Sequence, residues 1–330
     1  MTSLSRRLLF GAGALLAATG ARRAAAQGTT AAPAPGPAWS PPAAAQRCPS
    51  RWGAADRRGA MNLMTPERAR SAAGLIRTGE IVELGQVLSP SMPLNPGRQY
   101  SLTTKQTARN PGPNNRHGNE EIMTGEFGQI GTQFDMFPHQ TIGEHMYNCV
   151  DANSITTRSG FREMGVETVG TIFTRGLLLD IAALKGVPML ADDYEITVAD
   201  VEAAQRRQNV QIREGDAVIF HTGYGKLWGV DNARYVRGNP GLGIAAGEYV
   251  CAKNPILMGA DTPPVEISPS RPGANLPVHQ IALVVNGVHL LENMKLDVLA
   301  TKGRSEFALM VQPLKLQGAT GSTVAPSALL

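Results

Sequence analysis

The chain is poor in cysteine: 330 residues include three, Cys48, Cys149 and Cys251. None stands in a CxxC spacing, which argues against a cysteinyl zinc site and against a disulfide scaffold. An odd count also leaves at least one thiol free or paired with another chain, even in an oxidising compartment. The default expectation for all three is a small buried apolar side chain. Aromatic residues make up only 5%, so stacking platforms for nucleic acid are few. A basic face is missing too: the formal charge is +4, but Arg6, Arg7, Arg22 and Arg23 lie within residues 1–26, which hold no acid. Without them 27 basic residues face 27 acidic ones, and such a balance excludes the polybasic surface that phosphate binding needs. Nucleic acid is therefore not an expected partner.

Long apolar runs are absent as well. The run from Gly11 to Ala18 falls short of the roughly 20 residues that span a bilayer, so no integral membrane segment is expected in a mature chain. Paired arginines, Arg6-Arg7, precede that run, and Ala24-Ala25-Ala26 follows it; residues 1–26 read as a twin-arginine export signal directing the protein to the periplasm. That pathway carries folded proteins and suits a cofactor inserted before export. Residues 27–47 are rich in Pro and Ala and nearly uncharged, the composition of a disordered linker.

What remains is an ordinary globular composition, 42% hydrophobic and 18% charged. Thr65-Pro66 predicts a capped helix running through Ile76, and Ile81 to Leu88 alternates toward a strand. From Lys105 to Glu126 no period appears, so a long loop, a lid or insert, is expected. Segments at 171–173 and 176–181 read as strand, and Thr197 caps a helix over Val198 to Gln208. Gly215 to Gly223 is a buried apolar run between turn signals, a strand ending on polar residues where an α/β sheet commonly presents its site. His279 to Val288 repeats that pattern, and Leu290 to Ala300 looks helical. The expectation is one α/β domain, 48–317, with a polar C-terminal tail, 318–330.

Within it, Gly131-Thr132-Gln133-Phe134-Asp135 followed by His139 places a carboxylate and an imidazole four positions apart behind a tight turn. His279 and Glu292, thirteen positions apart, offer a second nitrogen and oxygen donor. A carboxylate supplies charged oxygen to a divalent ion, and an imidazole either ligates it or takes a proton from its water. Gln129 and Gln133 are neutral amides that offer only carbonyl oxygen, which favours a hard ion over zinc. Read singly, Asp135 is equally a turn residue, His139 a satisfied histidine, His279 a structural one and Glu292 a solvated helical acid. His145 and His221 are secondary candidates for substrate contact; His117 and His289 are assigned to surface or packing.

Residues 129–139, QIGTQFDMFPH, resemble the HxGTHxDxPxH signature of the cyclase family of metal hydrolases, which includes bacterial kynurenine formamidases and isatin hydrolases. Arg51-Trp52-Gly53, Met61 to Glu67, His221-Thr222-Gly223-Tyr224 with Trp228, Gly259 to Thr262, and Pro277-Val278-His279 with Leu291-Glu292-Asn293 are similar to segments of one bacterial branch. The resemblance, over about residues 50–300, implies a swivelling β/β/α fold with a mixed sheet flanked by helices. It also implies hydrolysis of a small amide, N-formyl compound or cyclic amide or ester, arylformamidase-like, by water on a divalent metal. It assigns Asp135, His279 and Glu292 to the metal and His139 to general-base catalysis; His145, His221 and Trp228 are the candidates for substrate contact. Gln129 and Gln133 occupy the positions of two histidine ligands, and the signature proline is displaced by one place. The ion is then manganese or zinc, a single ion held by Asp135, His279 and Glu292 being one arrangement; a non-catalytic exported small-molecule binder is the other reading. Family members usually assemble, so a homo-oligomer is expected.

Overall fold

The computed structural model describes residues 39–108, 112–270 and 274–330; the expected export signal and residues 27–38 of the expected linker lie outside them. A nine-stranded mixed sheet organises the fold. In chain order its strands are β1 (Ile81–Glu83), β2 (Gln133–Asp135), β3 (Ile172–Asp180), β4 (Ala217–His221), β5 (Leu257–Ala260), β6 (His289–Glu292), β7 (Glu306–Val311), β8 (Gly321–Thr323) and β9 (Ser327–Leu329). Their spatial order is β1-β9-β7-β3-β4-β5-β6-β2-β8. The middle four, β3 to β6, run parallel, and the flanking pairs are antiparallel.

The parallel centre follows from composition. Every residue of β4, β5 and β6 is buried, as strands covered on both faces must be, and they read as continuous apolar runs rather than alternating ones. Two of the crossovers carry the longer helices Val198–Gln208 and Ile244–Cys251. The first is delimited locally: Thr197 accepts from the Asp200 amide while Asp200 accepts from that of Thr197, and Asn209 closes the helix in the left-handed region, a capping box worth about 1 kcal/mol.

This topology aligns polar residues along one edge. Asp180 and His221 are register partners at the carboxyl ends of β3 and β4, Asp261 follows β5, and Glu292 ends β6. Antiparallel β2 then sets Gln133 opposite Glu292. Because side chains alternate along a strand, Gln133 and Asp135 share the face of Glu292, and Phe134 enters the opposite, fully buried side.

Several elements depart from expectation. The Pro66–Ala73 helix begins at its predicted Thr65 cap but stops short of Ile76, and strand β1 stops at Glu83. The predicted loop 105–126 instead contributes most of an antiparallel hairpin, Tyr100–Ala108 with Gly118–Gly125; both its faces are largely exposed, so no apolar alternation betrays it. The apolar stretch after His279 is not a strand but the helical turns Pro277–His279 and Gln280–Asn286, and the strand is β6, where a helix was expected; a fully buried helix and strand look alike in periodicity. The tail 318–330 supplies β8 and β9 to the main sheet. Cys48 and Cys149 form a disulfide, leaving only Cys251 as the buried thiol. The end of the expected linker is structured as well, with Trp39 Nε1 donating to Glu248 and a helical turn at Ala44–Arg47.

Candidate metal centre

The turn before β2 needs its glycine. Gly131 has φ of 64°, and a Cβ there would lie 2.2 Å from the Leu88 side chain; the close approach is to Leu88. Thr132 Oγ1 then donates to the Asn293 carbonyl at 2.7 Å and accepts from the Gln86 amide at 2.8 Å, tying the start of β2 to the residue after β6. Past β2, the short turn Phe137–His139 carries His139. The buried helical turn Pro277–His279 supplies His279 from the other side.

These elements bring Asp135, His139 and His279 together, with ligating atoms all within 4.8 Å of one another. His279 Nε2 stands 3.3 Å from Glu292 Oε1 and 3.8 Å from Asp135 Oδ2. Its Nδ1 lies 2.7 Å from Glu266 Oε1, and Glu266 also accepts from the amides of Val278 and His279. Glu266 thereby fixes the ring so that Nε2 faces Asp135 and Glu292, the carboxylate–histidine arrangement that commonly supports a metal ligand. Asp135, Glu266, Glu292 and His279 are each at most 2% exposed.

Three buried carboxylates around one imidazole leave surplus negative charge even when that imidazole is protonated, an expensive arrangement without a cation. The titration behaviour reflects it. Burial would depress His279, but Glu292, Glu266 and Asp135 push its pKa up to about 9. Burial, with Asp135 and Glu266 beside it, pushes Glu292 up to about 8, against the pull of His279. Two buried oxygens, Asp135 Oδ2 and Gln133 Oε1, find no hydrogen-bond partner among the described residues. A divalent cation would satisfy both oxygens and the excess charge, so these residues fit one. The donor set is oxygen and imidazole without thiolate, which suits manganese or zinc.

His139 is half-buried, whereas Asp135 and His279 are fully buried. Burial foremost, with the charges of His279 and Arg98, holds its pKa below the usual imidazole range despite Asp135.

The amides take unequal places. Gln133 Nε2 donates to Glu292 Oε2 at 3.1 Å, leaving its oxygen free to ligate. Glu292 is otherwise held by the Val265 amide on Oε1. Gln129 has no such freedom: its Nε2 donates to Asp135 Oδ1 at 2.9 Å, while its Oε1 accepts from Arg98 and Gln133. Gln129 thus lies behind Asp135, its side-chain amide engaged with Asp135, Arg98 and Gln133.

The expected substrate residues scatter. His145 is exposed in a turn, its backbone bridging Ile142 and Asp151. His221, at the end of β4, pairs with Asp180 at 2.8 Å, a cluster apart from Asp135. Trp228 is half-buried, edge-on to Tyr235 at 5.6 Å; Tyr235 lines a narrow cleft with Gln129, Arg98 and Asn293. His289, assigned to packing, does pack, stacked on Phe137, and its Nδ1 also meets the Asp135 carbonyl at 3.1 Å. Sequence reasoning missed Glu266 and Arg98. The one available signal was a lone acid inside the apolar stretch Val265-Glu266-Ile267; Arg98, in a proline-rich loop, gave none.

A family model described as "Putative cyclase" matches residues 82–267. A crystal structure of a novel cyclase is similar with 31% identity and a TM-score of 0.78, covering 85% of this chain and 98% of its own. Isatin hydrolase A from Ralstonia solanacearum is similar in fold at 21% identity and a TM-score of 0.55, over 80% of this chain and 97% of its own. An isatin hydrolase bound to the product analogue thioisatinate shares the fold at 20% identity and 0.57, over 81% and 99%. No curated protein sequence matches the chain. A family model spanning more than half of the sequence, together with a solved relative nearly a third identical to it, establishes that the chain belongs to the cyclase family.

Proposed function

We propose that the chain is a metal-dependent hydrolase of small non-peptide amides, N-formyl or cyclic, arylformamidase-like. The observation that carries this is the convergence of Asp135, His139 and His279 with two buried oxygens that lack a partner among the described residues. Asp135, His279 and Gln133 Oε1 would hold the ion, with Glu292 beside them. A bound divalent cation polarises a carbonyl and makes water acidic enough to attack near neutral pH. This chain's residues then do the rest. His139, kept neutral by its depressed pKa, takes the proton of the attacking water and returns it to the departing nitrogen as the C–N bond breaks. Glu266 keeps His279 oriented, and Gln129 keeps Asp135 oriented.

The disulfide between Cys48 and Cys149 supports export to an oxidising compartment, in keeping with the periplasm. Exposed Leu102, Ile122 and Met123 on the hairpin support assembly into a homo-oligomer.

Formanilide and isatin, assayed with purified protein, test the reading. Turnover abolished by chelator and restored by manganese or zinc is expected. Metal-loaded protein that is stabilised thermally by these compounds yet leaves them intact would replace the enzyme with the non-catalytic binder.

A further inference from the structure

The narrow cleft beside the metal centre is lined by Asn95, Arg98, Gln129, Tyr235 and Asn293 together with uncharged neighbours. Arg98 is the only charged side chain among these. It is half-buried, and two of its nitrogens are aimed by one residue: Nη1 donates to the Gln129 carbonyl at 2.5 Å and Nη2 to Gln129 Oε1 at 3.2 Å. Both acceptors are neutral, and among the described residues no carboxylate pairs with this guanidinium. That is unusual for an ordered arginine, whose planar fork matches a carboxylate. Across the cleft, Asn293 accepts from Tyr235 Oη on Oδ1 at 2.9 Å, and its Nδ2 has no partner among the described residues. A fixed cation and an amide donor therefore flank a cleft whose Gln129 holds Asp135 of the metal centre.

We propose that Arg98, with Asn293, recognises a carboxylate that the substrate already carries beside the scissile amide, so that acid-bearing amides are preferred over neutral ones. Arg98 is a specificity residue here. It does not take part in proton transfer, because an arginine does not lose its proton near neutral pH. Gln129 couples the two functions. The same amide that orients Arg98 also holds Asp135, an arrangement that a histidine ligand at position 129 would not provide. The substrate class rests on the hydrolase reading, whereas the anion site itself does not.

The test compares 2-formamidobenzoate with uncharged formanilide, and separately measures calorimetric binding of 2-aminobenzoate to the metal-loaded protein. The wild type is expected to prefer the acid at least tenfold in kcat/KM. Arg98→Gln should erase most of that preference and weaken 2-aminobenzoate at least tenfold, while Arg98→Lys, which keeps the charge without the fork, falls between. Arg98-dependent binding of 2-aminobenzoate without hydrolysis of either compound would sustain the anion site and sink the hydrolase reading. An acid preference and a 2-aminobenzoate affinity that are the same in Arg98→Gln as in the wild type would overturn this proposal, the metal then being what binds the carboxylate.

Discussion

At the residue scale the site is defined by what its atoms lack. A carboxylate oxygen and an amide oxygen, both buried, have no hydrogen bond among the described residues, although buried polar groups are overwhelmingly paired. His139 differs from its neighbours in being only half-buried and in having its pKa lowered, by burial foremost. Assigned to proton transfer, it is separable from metal holding: His139→Ala should lower kcat by about 10²- to 10⁴-fold while elemental analysis still finds the ion. Loss of the ion from that variant would make His139 a ligand instead. Much of this was legible in the sequence. Asp135, His139, His279 and Glu292 stand out as chemistry-bearing residue types at motif spacing, and the fold does bring them together. Glu266 was not legible, because its role depends on three hydrogen bonds to residues twelve and thirteen positions further along the chain. Gln129 and Gln133 look equivalent as letters, and only their partners separate them.

At the element scale, the clearest prediction from sequence was β4, whose apolar run between turn residues has no plausible alternative at its length. The least readable segment was 277–292, where a buried helix and a buried strand follow one another and both are apolar. The carboxyl ends of β3 and β4 are pinned by Asp180 and His221. Burial would lower the His221 pKa, yet the Asp180 hydrogen bond and the carboxylates of Asp261 and Asp297 raise it above the usual imidazole value. A raised value means that the folded chain binds this proton more tightly than the unfolded chain. The stabilisation is therefore complete below about pH 6.5, the ordinary imidazole pKa, and fades as pH rises through the folded value. The Asp180 pKa is itself held low, by the His221 pairing and the Ala183 amide against the effect of burial, so its contribution persists through that range. Chemical denaturation of His221→Gln should accordingly show a larger deficit against the wild type at pH 5.5 than at pH 9. An equal deficit at both would mean that the pair contributes by packing alone.

At the scale of the whole molecule, the single α/β domain of the cyclase fold was anticipated, and its margins were not. Residues 318–330 look polar and tail-like because β8 and β9 are only three residues each, too short to show a pattern. The disulfide joins residues 101 positions apart, a pairing that no local spacing reveals. These margins frame the sheet whose edge assembles the centre, and the central claim is that this centre is built for a divalent cation. The most direct measurement is the metal content of the purified chain, by mass spectrometry of the element, for the wild type and for Asp135→Asn. The account predicts about one tightly held divalent ion per wild-type chain, as the surplus of buried charge requires, and a marked loss in the variant. A wild type that remains metal-free after incubation with manganese or zinc, or a variant that retains the ion in full, would contradict it.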